Sequence, residues 1–300
     1  MAAGPGAGVD RRTEVRRLGA FFALAYALSW AWAVPLALTG AVVVRGEGWP
    51  THYPVLVGPA LAAVVVTAAT TGRHGLTDLL RRLVRWRVGR VWWLAAVSPA
   101  LLLAPLLAVM AVTGQELPRP ADFASFSGTP RVGLLGVVLL ITIVGALGEE
   151  VGWRGYALEH LQRLRGPVAS TLILAPLWAA WHLPMFGVVE TYRDFGPVQV
   201  AGMVLGLTCG AFVLTWLYNR SGGSILLVVV WHGLYNTVAA TEAAAGALAA
   251  VVSMLVVAQA AVLLVLEARA RRAGRPSILD PRPSVAPEAA AHRARTNESP

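Results

Sequence analysis

Charge is missing from this chain over long stretches, and that limits what it can fold into. Runs of about 18 or more uncharged residues cross a hydrocarbon core of roughly 30 Å as helices, because no water is present there to satisfy an open backbone. Such runs lie at about Leu18 to Val44, Tyr53 to Thr71, Val91 to Thr113, a fourth from Val132, Val168 to Val189, Val198 to Tyr218, Ser224 to Ala240 and Ala243 to Leu266. Only 14% of residues are charged and 56% are apolar, whereas a soluble domain keeps about a quarter of its residues charged. The expected fold is all-α: a polytopic integral membrane helical bundle of about eight transmembrane helices, occupying residues 18–266.

The arginines support this reading, because loops on the cytoplasmic side carry the excess of positive charge. Arg11, Arg12, Arg16 and Arg17 precede the first run, and Arg73, Arg81, Arg82, Arg85, Arg87 and Arg90 fill the second loop. Arg154, Arg163, Arg165 and Arg220 lie in later even-numbered loops, while the odd-numbered ones mix Arg45 with Glu47 and Glu116 with Arg119 and Asp122. An even number of spans follows, with both termini cytoplasmic, in a multi-pass protein of the cell membrane. Residues 1–17 read as a basic cytoplasmic arm. The first apolar run is too long for a cleaved signal and reads as an anchor. Leu76 to Val88 alternates arginines with apolar residues, as an interfacial amphipathic helix does. Residues 267–300, rich in Ala, Pro, Arg and Ser without apolar periodicity, read as a disordered cytoplasmic tail.

Composition removes several chemistries. All 25 basic residues are arginines, so Schiff-base catalysis and the P-loop lysine are excluded. A lone Cys209 within an apolar run forbids an intrachain disulfide and any cysteine-based metal cluster. The net charge of +9 belongs to arginines that border apolar runs, which suits orientation and anionic lipid; no nucleic-acid partner is expected.

An ionisable side chain inside a span is a functional candidate by default, because hydrocarbon penalises it by several kcal/mol. Few are present. Glu149 and Glu150 follow the fourth run, His182 lies in the fifth, and His232 and Asn236 lie in the seventh. Glu150 and Arg154 are spaced i, i+4 and pair on one helix face, leaving Glu149, about 100° around the helix, free to exchange a proton. His232 and Asn236 share a face by the same spacing. Trp178 stands one turn before His182 and Pro184 two residues after it, a broken helix beside a polar group. At 1.5 Å per residue Glu149 and His232 lie about 12 Å from the cytoplasmic edge, Asn236 about 18 Å and His182 about 18–22 Å. All four are expected to face one cavity open to the cytoplasm. Peptide hydrolysis needs a base for water, an acid for the amine and donors for the oxyanion, and this set holds groups for each. Glu149, His182 and His232 are equally a possible two-histidine, one-carboxylate zinc set, so the cofactor is either none or one divalent ion.

Three motifs therefore stand in order on successive apolar segments: Glu149-Glu150-x-x-x-Arg154, Trp178-x-x-x-His182 and His232-x-x-x-Asn236. Over about Val132 to Ala240 the chain resembles the CPBP (CAAX protease and bacteriocin-processing, or Abi) family of intramembrane proteases, which includes the type II CAAX prenyl endopeptidases. The resemblance implies an eight-helix fold, a cavity open to the cytoplasm, water activation by Glu149 with His182, and oxyanion stabilisation by His232 and Asn236. Glu150, Arg154 and Trp178 are then supporting residues. Trp178 stands where the family usually has Phe, an exchange of one aromatic for another. The family's names call its members metalloproteases, although a metal-free glutamate mechanism is also proposed for it.

The leading expectation is an intramembrane endopeptidase acting on a peptide or protein tail with an apolar or lipidated end. The alternatives are a proton-coupled transporter using the same groups as a relay, and a non-catalytic immunity or scaffold protein. A reporter enzyme active only outside the cytoplasm tests the topology: activity is expected when it is inserted beside Glu47 and none when it is fused at the C-terminus.

Overall fold

The computed structural model describes residues 10–244 and 247–281. It is about 78% helical with no strands among the described residues, a polytopic all-α membrane protein. The helices are α1 (Arg11–Leu38), α2 (Tyr53–Leu83), α3 (Arg90–Ala96), α4 (Ser98–Val112), a composite α5 (Gly133–Leu164), α6 (Pro167–Trp181), the short α7 (Glu190–Arg193), α8 (Pro197–Arg220), α9 (Ile225–Ala239) and α10 (Ala247–Arg272). Among the described residues six are long and apolar enough to cross a membrane; α3 and α4 pass the same test only as a pair bent by 57° at their junction, and α9 is a shorter apolar helix. These eight segments coincide with the eight uncharged runs.

The ends of the runs differ from the expectation in three places. Helix α1 starts at Arg11 and takes in the basic arm, because Asp10 caps it and Glu14, buried, reaches His160 at the end of α5. In α2 the backbone breaks at Gly72, whose φ of 61° and ψ of −150° separate the membrane run from the arginine-rich helix leading to Leu83. That second half is more than a charged loop: Arg82 Nη1 donates to the Gly155 carbonyl at 2.8 Å and to the Tyr218 hydroxyl at 2.6 Å. Helix α10 runs on to Arg272, and the chain then folds back. Buried Glu267 accepts from Arg271, Ser277 and the Ile278 amide, and Asn219 donates to the Leu279 carbonyl. Residues 267–281 of the expected tail are thus ordered, and 282–300 lie outside the described residues.

Helix α9, with 15 residues, is about 22 Å long and falls short of the hydrocarbon thickness. Its far end is covered by protein, where the Glu242 amide donates to the Ser125 carbonyl at 3.0 Å. On that same side Val43 bridges Val189 and Arg45 bridges Ser127, so the loops opposite the termini are stitched together.

Small residues set how closely α5 approaches its neighbours. A Cβ on Gly148 would meet the Leu56 backbone, one on Gly152 would meet the Pro59 backbone, and one on Gly155 would stand 2.7 Å from Ile225 Cδ1. Close contact of this kind is what drives helix association in lipid, where the hydrophobic effect is absent. Because the obstacle at Gly152 is backbone, Gly152→Val is expected to lose about 1–3 kcal/mol of stability from overpacking, measured as a lowered thermal midpoint in detergent.

Candidate active site

Helix α5 is not uniformly wound. The α-helical turn Leu147–Gly152, which carries both glutamates, lies between two π-helical segments, Ile141–Ala146 and Trp153–Leu158. Wider π turns rotate the side chains beyond them out of simple register and are frequent at functional sites. Both carboxylates are buried, Glu149 at 4% exposure and Glu150 at 0%.

Glu150 is engaged twice. Arg154 Nη1 donates to its Oε1 at 2.8 Å, the i, i+4 pair read from the sequence, and both side chains are wholly buried. His232 Nδ1 lies 2.8 Å from the same oxygen, and since a carboxylate paired with arginine only accepts, that nitrogen carries the hydrogen. Helix α9 is thereby locked to α5, and Nε2 is the nitrogen His232 has left for other work.

Trp178 on α6 stands at the centre of the group. Its indole Nε1–H donates to Glu149 Oε2 at 2.7 Å. The Arg154 guanidinium carbon sits 4.3 Å above its ring centroid, and the His232 ring meets it nearly edge-on at 5.6 Å. Helix α6 ends at Trp181 rather than kinking through Pro184, and a 3-10 turn, Leu183–Gly187, follows. The His182 amide turns to the Ala179 and Ala180 carbonyls. The Trp178 carbonyl instead takes the His182 ring at 2.8 Å from Nδ1. A carbonyl only accepts, so Nδ1 bears the hydrogen and Nε2 has its lone pair free.

Glu149, His182 and His232 thus come together through Trp178. Asn236 lies one turn beyond His232 and is half-buried. Both histidines are buried in this conformation, His182 at 8% exposure and His232 at 6%. A cavity of about 740 Å³ lies on the opposite face, lined by Val44, Arg45, Arg119, Asp122, Glu190 and Glu242.

Two residues beside the site escaped the sequence reading. His52, just before α2, is buried, stacks on Tyr53 at 5.3 Å, and interacts with His182; burial first and His182 second hold its imidazole down to about 4, so it is neutral at pH 7. Tyr192 on α7 lies within electrostatic reach of Glu149. Both sit in short loops outside the uncharged runs, where a polar residue raises no flag.

A zinc site would need Glu149, His182 and His232 to converge on one point. Among the described residues no three His, Cys, Asp or Glu side chains do so. The residues as placed do not fit a metal.

Fold and site together define a multi-pass helical membrane protein with a buried glutamate, histidine and tryptophan cluster at the junction of three helices. Residues 131–238 match the family described as type II CAAX prenyl endopeptidase, Rce1-like, which bears out the resemblance drawn from the three motifs. The chain is also similar to CAAX prenyl protease 2 of Methanococcus maripaludis, 23% identical over 190 residues that make up 61% of this chain and 69% of the relative.

Removing one member of a buried ion pair strands the other charge. Arg154→Ala is therefore expected to destabilise the protein by about 3–5 kcal/mol, read as loss of the folded monodisperse fraction and a lowered thermal midpoint.

Proposed function

We propose that residues 18–266 form an intramembrane endopeptidase with both termini cytoplasmic, in which Glu149 activates the water that hydrolyses a peptide bond. The observation that carries this reading is the division of labour between adjacent carboxylates. Glu150 has its charge paired, with Arg154 and His232 both bound at Oε1, whereas among the described residues Glu149 accepts only an indole N–H, at Oε2, and no cation is bonded to it, leaving Oε1 to accept a proton. The match to an endopeptidase family and the similarity to a CAAX prenyl protease support it.

In this scheme water lies between Glu149 Oε1 and His182 Nε2, both acceptors. Glu149 takes one proton as the water oxygen attacks the scissile carbonyl. The tetrahedral oxyanion accepts from the Asn236 carboxamide and, when His232 is doubly protonated, from its Nε2–H. Glu149 then returns its proton to the leaving nitrogen as the C–N bond breaks. Glu149, His182 and His232 are buried, so their dipoles act at low effective dielectric. The closed site means that substrate enters with helix or loop displacement. A peptide with an apolar or lipidated end suits a site reached from the bilayer, and the named relative's prenyl substrate class is one instance.

The test is cleavage of a quenched peptide library, lipidated and unlipidated, by detergent-purified protein. Glu149→Gln is expected to lower kcat by about 100- to 10,000-fold with the thermal midpoint retained. Cleavage is expected to survive exhaustive chelation. Full activity in Glu149→Gln overturns the proposed base, and loss on chelation with recovery on adding back zinc overturns the metal-free scheme.

A further inference from the structure

Three observations converge on Trp178. Trp178 carries a polar group that an all-carbon aromatic side chain lacks, the indole N–H. That N–H is not idle: it donates to Glu149 Oε2 at 2.7 Å. The ring bearing it is fixed on two sides, by the Arg154 guanidinium over its face at 4.3 Å and by His232 against it at 5.6 Å. The backbone carbonyl of the same residue binds His182 Nδ1. A phenylalanine would keep that carbonyl bond and much of the packing, but would offer Glu149 nothing.

We infer that Trp178 is a positioning residue that holds Glu149 through Oε2, selects Oε1 as the working oxygen, and sets the His182 tautomer from the same backbone unit. A buried carboxylate bonded at one oxygen loses its freedom to spin about its last torsion, which is broad and low in barrier when unconstrained. Orientation of this kind is worth rate, since a displacement of about 1 Å in a catalytic group lowers turnover about 100-fold. Ground-state binding of substrate does not depend on it, so the effect belongs in kcat. The inference rests on Glu149 being the base only for its kinetic consequence; the indole bond stands apart from activity.

Two readouts keep these separate. In detergent-solubilised protein labelled with 15N-tryptophan and 15N-histidine, the Trp178 indole cross-peak is the one missing in Trp178→Phe. It is expected to move upfield in Glu149→Ala, with the His182 ring nitrogens still reporting Nδ1–H in Trp178→Phe. An indole resonance unmoved by Glu149→Ala overturns the inference whether or not any peptide is cleaved. In the cleavage assay Trp178→Phe is expected to lower kcat about 10- to 100-fold with KM within about twofold of the parent. Parental kcat in Trp178→Phe, or an effect confined to KM, also overturns it. Should the parent cleave nothing, the proposed protease reading fails while the resonance still decides the bond.

Discussion

Two adjacent carboxylates lie inside a helix that crosses a membrane, and the structure around them is organised by that burden. An unpaired carboxylate in hydrocarbon is penalised by several kcal/mol or driven to neutralise. Glu150 escapes the penalty by accepting from a wholly buried arginine and from a histidine on another helix. That arrangement draws α9 against α5. Gly155 permits that approach, because a side chain there would collide with Ile225, while glycines at 148 and 152 let α5 approach Leu56 and Pro59 of α2. The ion pair supplies direction and the glycines supply proximity, and neither suffices alone.

With Glu150 committed, Glu149 acquires a different environment from its neighbour although the two are chemically identical and consecutive. One oxygen meets an indole donor and the other is left over. The same tryptophan reaches His182 through its backbone and His232 and Arg154 through its ring. A single side chain therefore couples all three motifs, which makes the exchange of Phe for Trp more than a change of aromatic. Outside this group, Arg82 ties the interfacial half of α2 to the carbonyl of Gly155 within the second π turn. A backbone carbonyl displaced from the regular helical ladder is thus given an external donor.

The membrane architecture was readable residue by residue. Uncharged runs marked the eight apolar helical segments, since charge is what hydrocarbon excludes, and the alternation of arginine between loops suggested their direction. The i, i+4 spacing of Glu150 and Arg154 foretold their bond. Legibility ended where helices ceased to be regular or where partners came from afar. Depth arithmetic placed the polar residues in a common layer but gave no sign of how deeply their side chains are buried, because counting residues along helices says nothing of what packs around them. His52 and Tyr192 stayed hidden since they approach the site from loops. The beginning of the expected tail is held by Glu267 and Asn219, partners that composition does not reveal.

The sequence by itself therefore determined the solvent, the apolar helical segments and which side chains must find partners, because these follow from local composition and periodicity. Only the tertiary structure decided which partners they found. The His232 bond to Glu150 joins residues 82 apart and the Trp178 bond to Glu149 joins residues 29 apart. Each depends on how one helix is rotated against another, and two π turns flanking the glutamates alter that rotation in a way no fixed period of 3.6 residues encodes.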